Sequence, residues 1–475
     1  MKKYPVILPL KWMLGLSLLL LTGACAGVGK PAAAPVAPTG SFTLFLQPLT
    51  QEVHRLTFLI EEMTALRAEG GEVPLPLRQS RFQADSLIGV QKKLANLTLP
   101  PGNYRGIALR IRSAILLGEE GEIDLLPPDE RLLVDHSFMV RENQTQTLFL
   151  SLSADRLITD GVFFTPRFSL WQAERTLVNL KGFVSSGASR DLIVFNKRTV
   201  QVVGAIHVGG RPADMALDQQ RGWLYVALPE ENAIVAVEVN SEAILGRVQL
   251  RFGDRPTELA LTANGALLVA LNPGSASVSI IDTGSLVETG RVGLSSEPND
   301  VFIDAGDSRA YVTHAAHSRL SVIDLQSRTA RKSVALDESP LDGVADGDGR
   351  SLYLINDFSP ELSVLDTASL ASRRKIFIGN GALSIKADDA GGLLYVSMED
   401  GGIAVVDPRS LMAIDNYALL PEPVRSLAIE REENALFAVM PQSGVLMKVD
   451  LVGKRELGRL DIDADSRTVV VMGER

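Results

Sequence analysis

Beyond residue 40, apolar and polar positions alternate in short runs, and from Leu180 onward the alternation itself repeats. GWLYVALPEENAIVAVEV, RAYVTHAAHSRLSVID, SLYLINDFSPELSVLD, GLLYVSMEDGGIAVVD and NALFAVMPQSGVLMKVD each read as an apolar run, a polar loop and an alternating strand. An anchor falls at Phe183, Tyr225, Leu268, Tyr311, Tyr353, Tyr395 and Phe437, in steps of 42 or 43 residues. The residue closing the following strand falls at Asn196, Glu238, Asp282, Asp324, Asp366, Asp407 and Asp450. A fixed period near 40 with several short strands per unit predicts a β-propeller.

Each unit reads as four strands, a to d: NDVFIDA, RAYVTH, LSVID and TARKSVAL in the unit that follows Pro298. Proline before strand a (Pro212, Pro256, Pro298, Pro340, Pro423) sets φ in the crossing loop and needs no ladder donor there. Turns such as ANGA and GDGR close the a–b hairpins. The aspartate ending strand c suits the next turn, where its carboxylate accepts backbone N–H groups. The repeat begins at KGFVSS, a strand b with no strand a before it, and finishes at SRTVVVMG, a strand a with nothing after it. Seven blades are therefore expected, the last closed by one C-terminal and three N-terminal strands, which leaves no free sheet edge.

Residues 41–175 lack this period. SFTLFL, GNYRGIALRIRSAILL, RLLVDHSFMV, QTQTLFLSLS and FTPRFSLW alternate like strands, and LPPGNY and LLPPDE mark turns between them. They predict a β-sandwich. HRLTFLIEEMTALRAEGGEV is open to two readings, a short helix or a strand with a loop. The fold class is thus all-β: an N-terminal β-sandwich over 41–175 followed by a seven-bladed β-propeller over 176–475.

The LYV, AYVTH and VID elements with their glycine turns resemble the YVTN β-propeller repeat of bacterial and archaeal surface and periplasmic proteins, over about residues 177–475. Ala382 in place of the proline and Leu268 in place of the aromatic depart from it. LTLPPGNYRGIALRIRSAILL, LLPP and FMVRENQTQTLFLSLSADR resemble a family of unknown function found in bacterial lipoproteins, a resemblance that brings no catalytic residues.

The start of the chain changes the picture of where the fold works. Lys2, Lys3 and Lys11 accompany an apolar run from Trp12 to Leu21. That run is shorter than the roughly 20 residues that span a bilayer, so residues 1–24 read as a secretory signal. Leu21-Thr22-Gly23-Ala24 before Cys25 resembles the bacterial lipobox, which implies lipidation of Cys25; the alternative is an ordinary signal cleaved nearby. Cys25 is the sole cysteine, so no disulfide forms within the chain. Residues 25–40, rich in alanine and proline, read as a tether. The expected location is the cell envelope, with a lipid anchor in the outer membrane, either periplasmic or surface-exposed. Removal of residues 1–24 takes the formal charge from −10 to −13, which disfavours nucleic acid as a partner.

Catalytic motifs are scarce: GxSxG, HExxH, a P-loop and a strand-to-helix GxGxxG are all missing. His314 and His317 are weak metal candidates, because no other repeat places a histidine there. No cofactor is expected. In a propeller the d–a and b–c loops share one face. Here they carry twelve acids, among them Glu297, Glu338, Asp357, Glu399 and Glu422, against Arg211 and Arg255. A negative field at that face would attract a cation or a basic surface. The leading reading is a non-catalytic lipoprotein scaffold that binds an envelope protein or a small ligand through this face. One alternative is a propeller lactonase or lyase using a metal or the pair Glu297 and Glu338. Another is a structural or adhesive surface component.

Overall fold

The computed structural model describes residues 39–388, 391–417 and 422–474; the signal segment, Cys25, most of the tether and Asp389 lie outside the described residues. What is described belongs to one compact unit, Pro38–Arg475.

The N-terminal part holds two main sheets. One orders Phe168–Trp171, Thr145–Leu152, Gly40–Leu46 and Lys92–Leu99, with a parallel pairing between Gly40–Leu46 and Thr145–Leu152. The other is built on the long strand Gly102–Gly118, which pairs with Leu56–Arg67, Gly121–Leu125 and Leu132–Val140. Every second residue faces inward, so Phe42 and Leu44 meet Phe58, Ile60 and Ile107 in one core. The ambiguous segment after His54 is therefore strand, Leu56–Arg67.

Seven four-stranded antiparallel sheets follow among the described residues. Numbered by their inner strands, sheets 1 to 7 begin at Met215–Asp218, Glu258–Leu261, Asp300–Ile303, Ser339–Ala345, Ala382–Asp388, Ser426–Glu430 and Val469–Val471. Sheets 1 to 6 take four consecutive strands. In sheet 7, Val469–Val471 pairs with Lys181–Ser185, which is followed by Asp191–Asn196 and Gln201–His207. Inner strands touch in succession from sheet 1 to sheet 7, and the seventh touches the first.

The anchors pack against the next sheet. Tyr225 meets Leu259 and Leu268 of sheet 2, Tyr311 meets Leu352 and Leu354 of sheet 4, and Phe437 meets Val184 and Phe195 of sheet 7. Burying a side chain of that size contributes about 1.5–3 kcal/mol. Sheet 2 corrects the sequence register. Leu267 faces Asp282 as Arg309 faces Asp324, so the anchor is Val269, which packs on Ala310 and Val312. Leu268 points the other way, toward Tyr225. Both neighbours are apolar, so alternation could not choose between them, and a one-residue shift exchanges the two faces.

The strand-c aspartates hold their turns. Asp282, Asp324 and Asp366 accept the backbone N–H of the serine three residues on, at 2.8, 2.6 and 2.8 Å. The Ser285 hydroxyl and N–H on Asp282, and the N–H and hydroxyl of Ser327 and Ser369 on Asp324 and Asp366, keep all three carboxyls below the usual range.

The N-terminal part docks on sheet 7. Phe45 and Phe149 share a core with Phe195, Val202 and Phe437. Gln91 extends the outer strand, accepting from Val202 N–H at 2.7 Å. Asp463, fully buried, takes Lys93 Nζ at 2.9 Å, Arg78 at 2.5 Å and the Ser186 hydroxyl. Burial alone would raise the Asp463 carboxyl, but the Lys93 charge, the Ser186 bond and Arg78 hold it below its ordinary value.

Candidate functional site: the central channel and its funnel

The residue two places after each inter-sheet proline is acidic in sheets 1 to 4: Asp214, Glu258, Asp300 and Asp342. These residues lie at or near the start of the inner strands, Asp342 within Ser339–Ala345, and line a channel of about 520 Å³. Lys386, Arg425 and Arg467, from sheets 5 to 7, line the same channel. The lining is thus split into an acidic arc and a basic arc.

The acids differ in their bonds. Asp214 accepts the N–H of Leu259 in sheet 2 at 2.8 Å, and Asp342 accepts that of Ile385 in sheet 5 at 3.1 Å. Each stitches its inner strand to the next. Asp300 reaches the Asp342 carboxyl, yet its Oδ2 is buried with no partner among the described residues. Burial pushes Asp214 up to about 6. Burial, then the charge of Asp214, raises Glu258 well above the usual range. Burial, then the charges of Asp342 and Glu258, does the same to Asp300, and burial raises Asp342. Burial would depress Lys386, but Glu474, Asp214 and Asp342 outweigh it and hold the ammonium above its ordinary value. Glu474 bonds Lys386 at 2.9 Å. Arg425 and Arg467 act on Glu258 across the channel. Among the described residues they form no ion pair, unlike Arg291, which closes on Asp254.

The d–a and b–c loops enclose a funnel of about 1060 Å³, and Arg425 and Arg467 stand where funnel and channel meet. Arg211, Arg255 and Glu297 line it, together with Glu230 and Asp465. Arg255 is set at φ 53°, with its N–H bonded to Asn232 Oδ1 at 3.0 Å. The other sequence candidates lie elsewhere or are engaged. Glu338 accepts from Asn356 at 2.8 Å and Ser363 at 3.2 Å and pairs with Lys375. Glu297 and Glu338 therefore do not form a pair in the funnel. Glu422 accepts the N–H groups of Gln442 and Ser443, joining two loops. Asp357 lines the channel, and Glu399 is exposed on a b–c turn. Asp254 and Asp463 are consumed by Arg291 and Lys93. Four arginines and three acids line the funnel, a mixed field where loop counting predicted a negative one.

Sequence reasoning missed the channel set, although a signal existed. Pro-x-acid recurs as PAD, PTE, PND and PLD, and PVR takes the same place in sheet 6.

His314 is fully buried. Its Nδ1 lies 3.1 Å from the Glu297 carbonyl, which can only accept, so Nδ1 carries the proton. Nε2 then accepts from Ser321 at 2.9 Å. Burial lowers its pKa and keeps the ring neutral. With the corrected register, Asn272 and Asn356 occupy the same place, each donating to a strand-c serine, Ser279 at 2.8 Å and Ser363 at 2.9 Å. His314 is a member of this polar series; His317 is exposed on the loop. Among the described residues no three His, Cys, Asp or Glu side chains converge as metal ligands. His314→Asn should cost less than about 1 kcal/mol in urea unfolding, whereas His314→Leu, which leaves Ser321 unpaired, should cost about 1–3 kcal/mol. Equal costs would remove this role.

No family model matches the chain, and no curated protein matches it. Solved structures resemble its fold. A functionally unknown protein from Desulfotomaculum acetoxidans is 13% identical, with TM-score 0.54, covering 61% of this chain and 99% of its own. The β-propeller domain of Myceliophteria thermophila Cps50 (Swd1) is 11% identical, with TM-score 0.49, over 56% of this chain and 92% of its own. Dihydro-heme d1 dehydrogenase NirN is 12% identical, with TM-score 0.49, over 64% and 77%. At these identities the likeness concerns fold alone.

Proposed function

We propose that this chain is a non-catalytic lipoprotein of the bacterial cell envelope, anchored through Cys25 in the outer membrane. A tethered β-sandwich over 41–175 then carries a closed seven-bladed propeller of YVTN type, whose funnel captures an envelope protein or a small ligand. The observation that carries the reading is the funnel itself: loops from many sheets set four exposed arginines, with no ion pair among the described residues, over a charged channel. Guanidinium groups with no carboxylate on them are open to an anionic group of a ligand.

Affinity capture from cross-linked cells tests it. One stoichiometric partner should be recovered with the native chain, lost with R211E/R255E, and retained with Asp348→Lys on the opposite face. Recovery that is indifferent to the funnel substitutions would remove the assignment. The neighbouring Asp300 and Asp342 carboxyls favour a second reading, acid–base catalysis inside the channel. Turnover of a lactone panel abolished by Asp342→Asn would establish that reading in place of the first.

A further inference from the structure

The channel is divided by charge along its circumference and along its depth. Asp214, Glu258, Asp300 and Asp342 occupy one arc. Arg425 and Arg467 stand opposite, at the throat shared with the funnel. Two of the four acids are spent on structure, since Asp214 and Asp342 hold backbone N–H groups of neighbouring sheets. Glu258 and Asp300 make no such bond, and the buried Asp300 Oδ2 meets no N–H or hydroxyl donor among the described residues, only the neighbouring Asp342 carboxyl being within reach. A buried carboxylate oxygen left unbonded costs free energy, and native proteins leave few of them. The lysine of the channel is already held by Glu474, so the cations left to act are the two arginines.

We propose that the channel binds a small zwitterion, an amino acid or short peptide, with its ammonium between Glu258 and Asp300 and its carboxylate on Arg425 and Arg467. An ammonium offers three donors and can serve two carboxyls at once. Guanidinium groups hold a carboxylate through paired N–H bonds. A lone metal ion fits less well, because among the described residues no three carboxyls converge on one point. The volume, about 520 Å³, lies within the range of small-molecule sites, about 300–1,000 Å³. The raised carboxyls of Glu258 and Asp300 give the site a further property: an arriving ammonium favours their ionised forms, so binding releases protons wherever these carboxyls are still protonated. This inference deepens the binding reading above and rests on it.

Calorimetric titration of the purified full chain with the twenty L-amino acids and their glycyl dipeptides, each at millimolar concentration, tests it. At least one zwitterion should bind saturably. Its N-acetyl form, which lacks the ammonium, and its amide, which lacks the carboxylate, should bind about tenfold or more weakly, a loss of about 1.4 kcal/mol each. Asp300→Asn and Arg467→Gln should weaken the zwitterion similarly, while Lys332→Gln on an outer strand should not. Each variant is first checked by thermal unfolding. Three results would overturn the proposal: no heat with any probe, single-charge forms as tight as the zwitterion, or unchanged binding in Asp300→Asn and Arg467→Gln. If a protein partner is still captured through Arg211 and Arg255 when no zwitterion binds, only this inference fails.

Discussion

Asp463→Ala should lower the unfolding free energy by about 3–5 kcal/mol, the cost of removing one partner from a buried ion pair. The residue is fully buried and takes bonds from Lys93 and Arg78 of the N-terminal part and from Ser186 of sheet 7. Lys93 is 1% exposed, so the substitution leaves an ammonium in a dry site with only the weaker field of Asp461 to offset it. It must either stay charged at that cost or lose its proton. The double variant Lys93→Met/Asp463→Ala removes both charges and should recover more than half of the loss. Urea unfolding at neutral pH measures both. A loss below about 1 kcal/mol for Asp463→Ala would show that the junction is not held this way. The consequence reaches the fold's closure. Asp463 lies shortly before Val469–Val471, the inner strand that joins sheet 7, so its carboxylate ties the loop leading into that strand to the N-terminal part.

The second large effect concerns pH. Glu258 and Asp300, with Asp214 and Asp342, have folded pKa values above their unfolded ones. A raised carboxyl favours folding below its unfolded pKa, and that advantage is lost as pH climbs through the folded pKa. For Asp214 the rise is from 3.8 to about 6, equivalent to at most about 3 kcal/mol and reduced by the water that reaches the channel. Stability should therefore decline from about pH 4 through pH 6 and above. Glu258→Gln/Asp300→Asn removes two of these groups. Its Tm at pH 8 should exceed that of the native chain by about 3 °C or more, and the two should coincide at pH 4. A lower Tm at pH 8 would mean that the carboxylates are compensated in the free protein, and would weaken the channel as a ligand site. The turn aspartates act in the opposite sense. Asp282, Asp324 and Asp366 are held low by their hydrogen bonds, so their contribution is present above the unfolded pKa and is lost as pH falls through the folded one. The optimum should then lie in mildly acidic solution, between the two losses.

Features that depend on near neighbours along the chain were legible before folding. The repeat of 42 or 43 residues recurs in the sheets except for the shifted register of sheet 2, and the aspartates ending strand c hold the turns that follow them. The pairing of Val469–Val471 with Lys181–Ser185 was legible too, because an incomplete first unit and a surplus last strand complete each other. Tertiary structure decided the rest. Which acids stay unpaired depends on residues far away in sequence: Asp463 is met by Lys93, Asp254 by Arg291 and Glu338 by Lys375. A count of loop charges treats them all as free. Val269 rather than Leu268 became the anchor, since two adjacent apolar residues carry no signal of face. His314, read as a weak metal candidate, became one of three equivalent polar groups only after that register was set. The two arcs of the channel arise because the ring brings seven inner strands to one axis. Residues about 42 positions apart are then brought side by side around one partly desolvated channel, where each charge acts on its neighbours more strongly than it does along the chain.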